Sequence, residues 1–409
     1  MKPYILAVSA FISGLGAVLS YTVIVEYIPI FIRKNLYGRD QCKPYESKIP
    51  EPIGVISASV YLLMMIIFIP FPFYEWISNY SAFPHERFLS FLSALLSIGC
   101  AILLGFADDV LDLRWRHKLF FPTISSLPIL LVYSITGSST TVLVPKCLSS
   151  LEFLSLPEHL DIGPLYYIYM GMMIVFCTNA INIFAGVNGL EVGQSVVIAV
   201  SVAIFNAVQL VRLENGGWHH SLSLYFLLPF IAINIVLLYF NWYPARVFVG
   251  DTFCYWAGMT LATTCVLGHF SKTMLLFLVP QVFNFLYSLP QLFHLIPCPR
   301  HRLPKYNSAT DKVEMSCVQF KVSDLSSVGK HFVTLSHLFG LLHKRAFKKD
   351  HEDWLEINNL TILNLALKFL GPMNERSLTI CLLLTQVFCS FLAFFIRFYF
   401  AGFIYDVVE

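Results

Sequence analysis

Charge is scarce in this chain. Of its 409 residues 13% are Asp, Glu, Lys or Arg and 57% are hydrophobic, against about 25% and about 45–50% in an ordinary soluble domain. A single water-soluble globule is excluded. Neither sign of charge is in excess, the formal net charge being +2, which excludes the dominant basic face of a nucleic-acid binder. The ten cysteines include no CxxC and no Cys/His cluster of zinc-ligand spacing. Six of them, Cys100, Cys177, Cys254, Cys265, Cys381 and Cys389, sit inside apolar runs as small core residues. Repeats, low-complexity tracts and Gly/Ser linkers are also missing, so one bundle is expected rather than a string of domains. The apolar N-terminal stretch is too long for a signal peptide and has no evident small-residue cleavage site, so it is expected to be a first membrane span.

What is present is a succession of apolar runs, each near the ~20 residues that cross a bilayer. Ten candidate helices cover roughly residues 4–32, 53–73, 88–107, 119–136, 163–181, 193–211, 221–240, 249–268, 273–296 and 377–400. One connection, Pro297 to Pro372, is long and polar. Within it Val313, Met315 and Cys317 alternate with polar neighbours, predicting a β-hairpin, and Leu325 to Lys349 looks helical. The expected fold class is an all-α polytopic membrane protein, with about ten transmembrane helices and a small cytosolic α/β lobe between helices 9 and 10. The corresponding division is 1–296 for the first nine helices, 297–372 for the lobe and 373–409 for the last helix and C-terminus.

Ten spans put alternate connections on opposite sides. The odd-numbered ones hold 21 Lys and Arg and the other side 6, which predicts that the odd-numbered side is cytosolic. Arg300, Arg302 and Lys305 beside a span end contribute directly. Trp115, Trp242 and Tyr243 at one set of span ends, with Trp76 and Trp218 at the other, fit two interfacial belts. The sequon Asn79-Tyr80-Ser81 falls on the non-cytosolic side; Asn359-Leu360-Thr361 falls on the cytosolic side and is expected to be unused.

Four polar clusters gather on the predicted cytosolic face. Asp108, Asp109 and Asp112 stand at the end of span 3, where the helix macrodipole disfavours anions. Arg114, Arg116 and Lys118 are enough to make them a solvated cap; the chemical alternative is a site that holds a cation or positions an oxygen nucleophile. Asn179, Asn182 and Asn188 end span 5 with Gly186 and Gly189. Interhelical amide glue explains one such Asn well and three poorly. Asp251 opens span 8 after Phe248-Val249-Gly250, either as an N-cap or, with Asn182, as a hard oxygen ligand suited to Mg²⁺. Pro297-Cys298-Pro299-Arg300-His301-Arg302 is either a positive-inside flank or a pair of guanidinium forks for phosphate. Acidic, amide-rich, metal-capable and cationic groups together suit the joining of two phosphate-bearing substrates, one of them a lipid. The residues alone leave a membrane phosphotransferase and an ion-coupled transporter open.

The segments Gly105-Phe106-Ala107-Asp108-Asp109, Asn179-Ala180-Ile181-Asn182, Phe248-Val249-Gly250-Asp251 and Pro299-Arg300-His301-Arg302 closely resemble the polyprenyl-phosphate N-acetylhexosamine-1-phosphate transferase superfamily. The long Arg-His-Arg loop resembles its eukaryotic branch more than the prokaryotic one. The resemblance implies transfer of a sugar-1-phosphate from a UDP-sugar to a polyprenyl phosphate with release of UMP. For the eukaryotic branch the substrates are UDP-GlcNAc and dolichyl phosphate, at the cytosolic face of the endoplasmic reticulum membrane. It implies Mg²⁺ held by Asn182 and Asp251, and pyrophosphate and sugar contacts from Arg300, His301 and Arg302. Asn188 would read uracil, with Gly186 and Phe248 stacking about it, and Asn179 would be a further substrate-binding residue. Lys118 would pair with an aspartate and the lipid phosphate, and Asp108 or Asp109 would orient the acceptor or take its proton. The first loop, with Asp40, Gln41 and Glu51, resembles another part of the nucleotide site, although Arg39 and Gln41 depart from the residues expected there. Relatives suggest a homodimer, and no nucleic-acid partner is implied. A proton-coupled transporter using Asp108 and Asp109 would instead need acids nearer the bilayer midplane.

Overall fold

The structure, a computed structural model, describes residues 3–43, 48–78, 83–111, 113, 115–136, 139–144, 146, 157, 159–213, 217–299, 301–349 and 351–404. Asp112, Arg114, Arg300 and the Asn79-Tyr80-Ser81 sequon lie outside these residues.

Every predicted apolar run is helical. The helices are α1 (Pro3–Arg33), α2 (Gly54–Phe68), α3 (Pro70–Ser78), α4 (His85–Leu111), α5 (Trp115–Ile135), α6 (Pro164–Ile183), α7 (Leu190–Arg212), α8 (Trp218–Asn241), α9 (Gly250–Leu267), α10 (Ser271–Phe277) and α11 (Val279–Leu292). Seven helical segments of the described chain are long and apolar enough to cross a membrane, and an eighth is added if α10 and α11 form one span. The chain is a polytopic membrane protein. Two of the runs are broken, the second at Pro70 and the ninth by a 75° bend before Pro280, as expected where proline removes a backbone donor.

Helix α9 is the axis of the bundle, buried from Thr252 through Gly268. It packs on α4 and α6, and two glycines set how closely. A Cβ on Gly105 would lie 2.8 Å from Thr252 Cα, and one on Gly258 would collide with the backbone at Cys177 and Thr178. Trp256 of α9 anchors an aromatic core with Tyr61, Phe230 and Phe253, ring centroids 5.1–5.9 Å away. Elsewhere an amide relay joins three helices inside the apolar layer. Gln281 donates to Gln194 and to Gln386, each at 2.8 Å, satisfying groups that neither lipid nor apolar core would.

The polar connection forms a lobe. Strands β5 (Lys305–Asn307) and β6 (Lys312–Glu314) make the predicted hairpin, taking β1 to β4 as Tyr37–Arg39, Lys48–Pro50, Thr141–Leu143 and His159–Asp161. Cys317 starts a separate strand, β7 (Cys317–Lys321), in an antiparallel sheet of order β7-β9-β8 with β9 (Glu352–Asn358) and β8 (Lys344–Lys349). The helix expected over 325–349 is only half present. It spans Ser327–Leu338 (α12), capped by Ser326 Oγ accepting from Gly329 N–H, and the chain reverses at Gly340 with φ +70°. Lys344–Lys349 then pairs along β9 in full register, so tertiary pairing overrides the helix propensity of its Lys, Arg and Ala.

Helix α13 (Ile362–Leu370) follows, and α14 (Glu375–Phe395) returns to the bundle, continuing through a π turn at Ile396–Phe400. Lobe residues Phe320, Val333, Leu355 and Ile357 share a core with Tyr287 and Ile296 from the end of α11. Val313, Leu363 and Leu367 pack with Val187, Leu190, Leu378 and Leu382. The lobe is thereby seated on one end of the bundle, beside the residues that line the main cleft.

Candidate active site

A cleft of about 550 Å³ opens at that end. It is lined by Asp40, Gln41, Glu51, Asp108, Asp109, Lys118, Asn182, Gly186, Asn188, Phe248 and Asp251, which brings together most of the predicted site from four separate stretches of sequence.

At its centre is a chain of charge and amide. Lys118 Nζ lies 2.6 Å from Asp251 Oδ2 and 3.1 Å from Asp108 Oδ2. Asn182 Nδ2 donates to Asp251 Oδ1 at 2.6 Å. Asp108 is held further by the Leu113 N–H at 3.2 Å and the Tyr255 hydroxyl at 3.4 Å. A buried carboxylate at a helix C-terminus is tolerable only with such compensation, and Lys118 supplies it.

Asp109 does something different. Its Oδ1 accepts from Asp251 N–H at 2.6 Å and its Oδ2 from Thr252 N–H at 2.8 Å and from the Thr252 hydroxyl. It caps α9 from a neighbouring helix and satisfies donors that a helix start leaves open. Asp251, considered above as a possible cap of its own helix, is free to face the cleft because Asp109 takes that task. Gly250 makes the arrangement possible: its φ is +72°, and a Cβ there would meet Pro52 and lie 2.7 Å from Asp109 Oδ1.

Another wall is built from the first loop. Phe248 N–H donates to Pro50 O at 2.9 Å and Ile53 N–H to Phe248 O at 3.0 Å, so the β1–β2 hairpin and the 248 segment are fastened together. Glu51 is packed against them, and its carboxyl is pushed up to about 7 by burial and then by the nearby Asp109, Asp251 and Glu191 carboxylates.

Asn188 sits in a buried polar knot with Asp40, Lys43 and Glu375. Its Nδ2 donates to Asp40 Oδ2 at 3.1 Å, and its Oδ1 accepts from Ala245 N–H at 2.9 Å. Lys43 forms ion pairs with Glu375 and, at 3.4 Å, with Asp40. Burial works against the Lys43 charge, but the hydrogen bond and charge of Glu375 outweigh it and hold its pKa above the usual lysine value. Among the described residues one trio of possible metal ligands is tightly grouped, Asp40, Cys42 and Glu375; there the Lys43 ammonium already serves as the cation. Asp251 offers carboxylate oxygens, and Asn182, whose Nδ2 donates to Asp251 Oδ1, offers its amide oxygen; such hard oxygen donors fit a Mg²⁺ that completes its shell with water and phosphate.

Not every predicted residue reaches the cleft. Asn179 turns its amide back onto its own helix, Nδ2 donating to Val175 O at 2.9 Å, and does not line the cleft. His301 is exposed, and neither it nor Arg302 lines the cleft, whereas Leu303 covers Gly186. Arg302 Nη1 is buried with no hydrogen-bond partner among the described residues, and burial pulls the Arg302 pKa below its usual value. Sequence reasoning missed Lys43, Glu191, Asn241 and Glu375. Glu191 accepts from Gly186 N–H at 3.0 Å, and Asn241 lines the cleft with its Oδ1 buried and unpartnered among the described residues. Glu191 ends the Asn- and Gly-rich segment and was within reach; the others carry no local signal.

Known proteins add a second line of observation. Residues 91–269 match glycosyl transferase family 4. The chain is similar to the UDP-N-acetylglucosamine–dolichyl-phosphate N-acetylglucosaminephosphotransferase of Schizosaccharomyces pombe, 42% identical over 97% of this chain and 94% of the relative. The chain belongs to glycosyl transferase family 4. Proteins of the same name in Saccharomyces cerevisiae and Dictyostelium discoideum are each 41% identical, over 88% and 97% of this chain and 83% and 90% of theirs. Within this family-4 chain, the matched region carries Asp108, Asp109, Lys118, Asn182, Asn188 and Asp251. Asp40, Lys43 and Glu375 lie outside it.

Proposed function

We propose that this chain transfers GlcNAc-1-phosphate from UDP-GlcNAc to dolichyl phosphate, giving GlcNAc-diphosphodolichol and UMP. The relatives' names supply the substrates. The observation that carries the reading is the Asp108–Lys118–Asp251–Asn182 chain lining one cleft. The proposal includes ten spans, an endoplasmic reticulum membrane and a site facing the cytosol; the Lys and Arg asymmetry supports the last of these.

In this mechanism the dolichyl phosphate oxygen attacks the β-phosphorus directly. One P–O bond forms to the lipid phosphate, the bond to the bridging oxygen breaks, and UMP leaves with that oxygen. Lys118 offsets the charge of the incoming lipid phosphate, and Asp108 orients Lys118 and the acceptor. A phosphate dianion needs little help from a base, so Asp109 can remain committed to capping α9. Asp251 and Asn182 would hold Mg²⁺, whose chemistry is to neutralise the pyrophosphate. Arg300, His301 and Arg302 enter the proposal as pyrophosphate and sugar contacts on the resemblance alone, since His301 and Arg302 stand outside the cleft lining.

Purified protein with radiolabelled UDP-GlcNAc, dolichyl phosphate and Mg²⁺ should form labelled lipid and UMP. Asp251→Ala and EDTA should each lower the rate by about 10²-fold or more, with excess Mg²⁺ reversing EDTA. Folded protein that forms no product, yet moves protons in liposomes, would replace this reading with the transporter. Exchange of label between UMP and UDP-GlcNAc without acceptor would replace direct displacement with a covalent intermediate.

A further inference from the structure

Glu375, the first residue of α14, reaches Asn188 across 187 residues of sequence. Its Oε1 accepts from the Asn188 N–H at 2.7 Å. One turn on, the Thr379 hydroxyl donates to the Asn188 carbonyl at 2.9 Å. Residues four apart share a helix face, so one face of the last membrane helix grips both main-chain groups of Asn188. Its side chain is gripped as well, by Asp40 and by Ala245 N–H. Lys43 links the two carboxylates of this knot, pairing with Glu375 and Asp40. Asp40, Asn188 and Glu375 are 8%, 6% and 3% exposed, so these bonds are shielded from water and geometrically strict.

A side-chain amide has two N–H donors and two acceptor positions on its oxygen. Asp40 uses one donor and Ala245 one acceptor. One of each remains, the complement of an imide edge that offers one N–H and one carbonyl. An amide held at both backbone groups and at both ends of its side chain cannot turn to exchange donor for acceptor without breaking several buried bonds.

We infer that Glu375, supported by Thr379 and Lys43, is a positioning residue that fixes Asn188 for recognition of the uracil base. The last membrane helix thereby takes part in nucleotide selection. This rests on the reading that the cleft binds a UDP-sugar with Asn188 at the base.

The test is steady-state kinetics on full-length protein in detergent, varying UDP-GlcNAc and dolichyl phosphate separately, with UDP and CDP as competitive inhibitors. Glu375→Ala should raise KM for UDP-GlcNAc about tenfold and narrow the preference for UDP over CDP to a similar degree, with kcat and the KM for dolichyl phosphate within about twofold. Glu375→Gln alone keeps an acceptor for the Asn188 N–H and leaves Lys43 paired with Asp40. It should bring KM back to within about threefold of wild type. Thr379→Val removes one bond and should shift the same KM by a smaller factor, and it carries the test if Glu375→Ala does not fold. An unchanged KM for UDP-GlcNAc, equal changes in both KM values, or Glu375→Gln no better than Glu375→Ala would overturn the inference. Wild-type protein with no transfer activity would instead overturn the functional reading beneath it.

Discussion

Asp108 and Asp109 are neighbours with the same side chain and opposite employment. One faces Lys118 and the cleft, and the other is wholly committed to the start of α9. No pattern in the sequence distinguishes them, because the difference lies in which helix each meets. Asp251, Asn182 and Lys118 were legible because carboxylates, amides and an ammonium at span ends are costly without a purpose. Glu375 and Lys43 were not, since a lone Glu at a helix start and a lone Lys in a loop are ordinary. Gly250→Ala tests the spacing directly. The strained φ alone costs about 1–3 kcal/mol, and displacement of Asp109 adds to it, so a lower melting temperature in a detergent thermal-shift assay is expected with at least about tenfold loss of transfer. Glu51 offers a pH signature. Its folded pKa, about 7, lies above its ordinary value of 4.5, so its contribution to stability is full below about pH 4.5 and is lost as pH rises through 7. Glu51→Gln should flatten the fall in melting temperature between pH 6 and 8 by roughly 2–4 °C. The rise in KM for UDP-GlcNAc over the same range should flatten too, because an ionised Glu51 repels the pyrophosphate.

Among the elements, the apolar runs were readable because lipid demands length and hydropathy together. The lobe was readable only in part. Lys344–Lys349 contains Ala346 and Phe347 side by side, without the alternation that announces a strand, and pairs because β9 presents a free edge. Helix α13 shows how the lobe bears on the cleft. Asn364 Nδ2 donates to the Arg302 carbonyl at 2.9 Å, while its Oδ1 accepts from Ser316 N–H at 2.8 Å. The first turn of α13 therefore fixes the segment that carries His301, Arg302 and Leu303. Asn364→Ala should destabilise the protein by about 1–3 kcal/mol through the buried groups it orphans, and should lower kcat/KM severalfold more than Thr334→Ala, an exposed change in α12. Equal kinetics for the two variants would remove α13 from the site.

Across the whole molecule, the cleft draws on the first loop, on α4 to α9 and on the final helix, and Lys43 and Glu375 stand 332 residues apart. Closing so long a loop has an entropic cost that local contacts do not meet, and the buried knot around Asn188 helps to offset it. A chain ending at residue 372 should insert its earlier spans, as protease protection would report, yet show no measurable UDP-GlcNAc binding by scintillation proximity; binding at wild-type strength would show that α14 is dispensable. Of the elements that line the cleft, α14 is the last to leave the ribosome. Until that helix emerges and docks, Lys43 lacks its principal counter-ion and the main chain of Asn188 lacks both of its anchors. An unfinished polypeptide would thus carry Asp108, Lys118 and Asp251 but no finished wall around Asn188, and the cleft would close only with the arrival of α14.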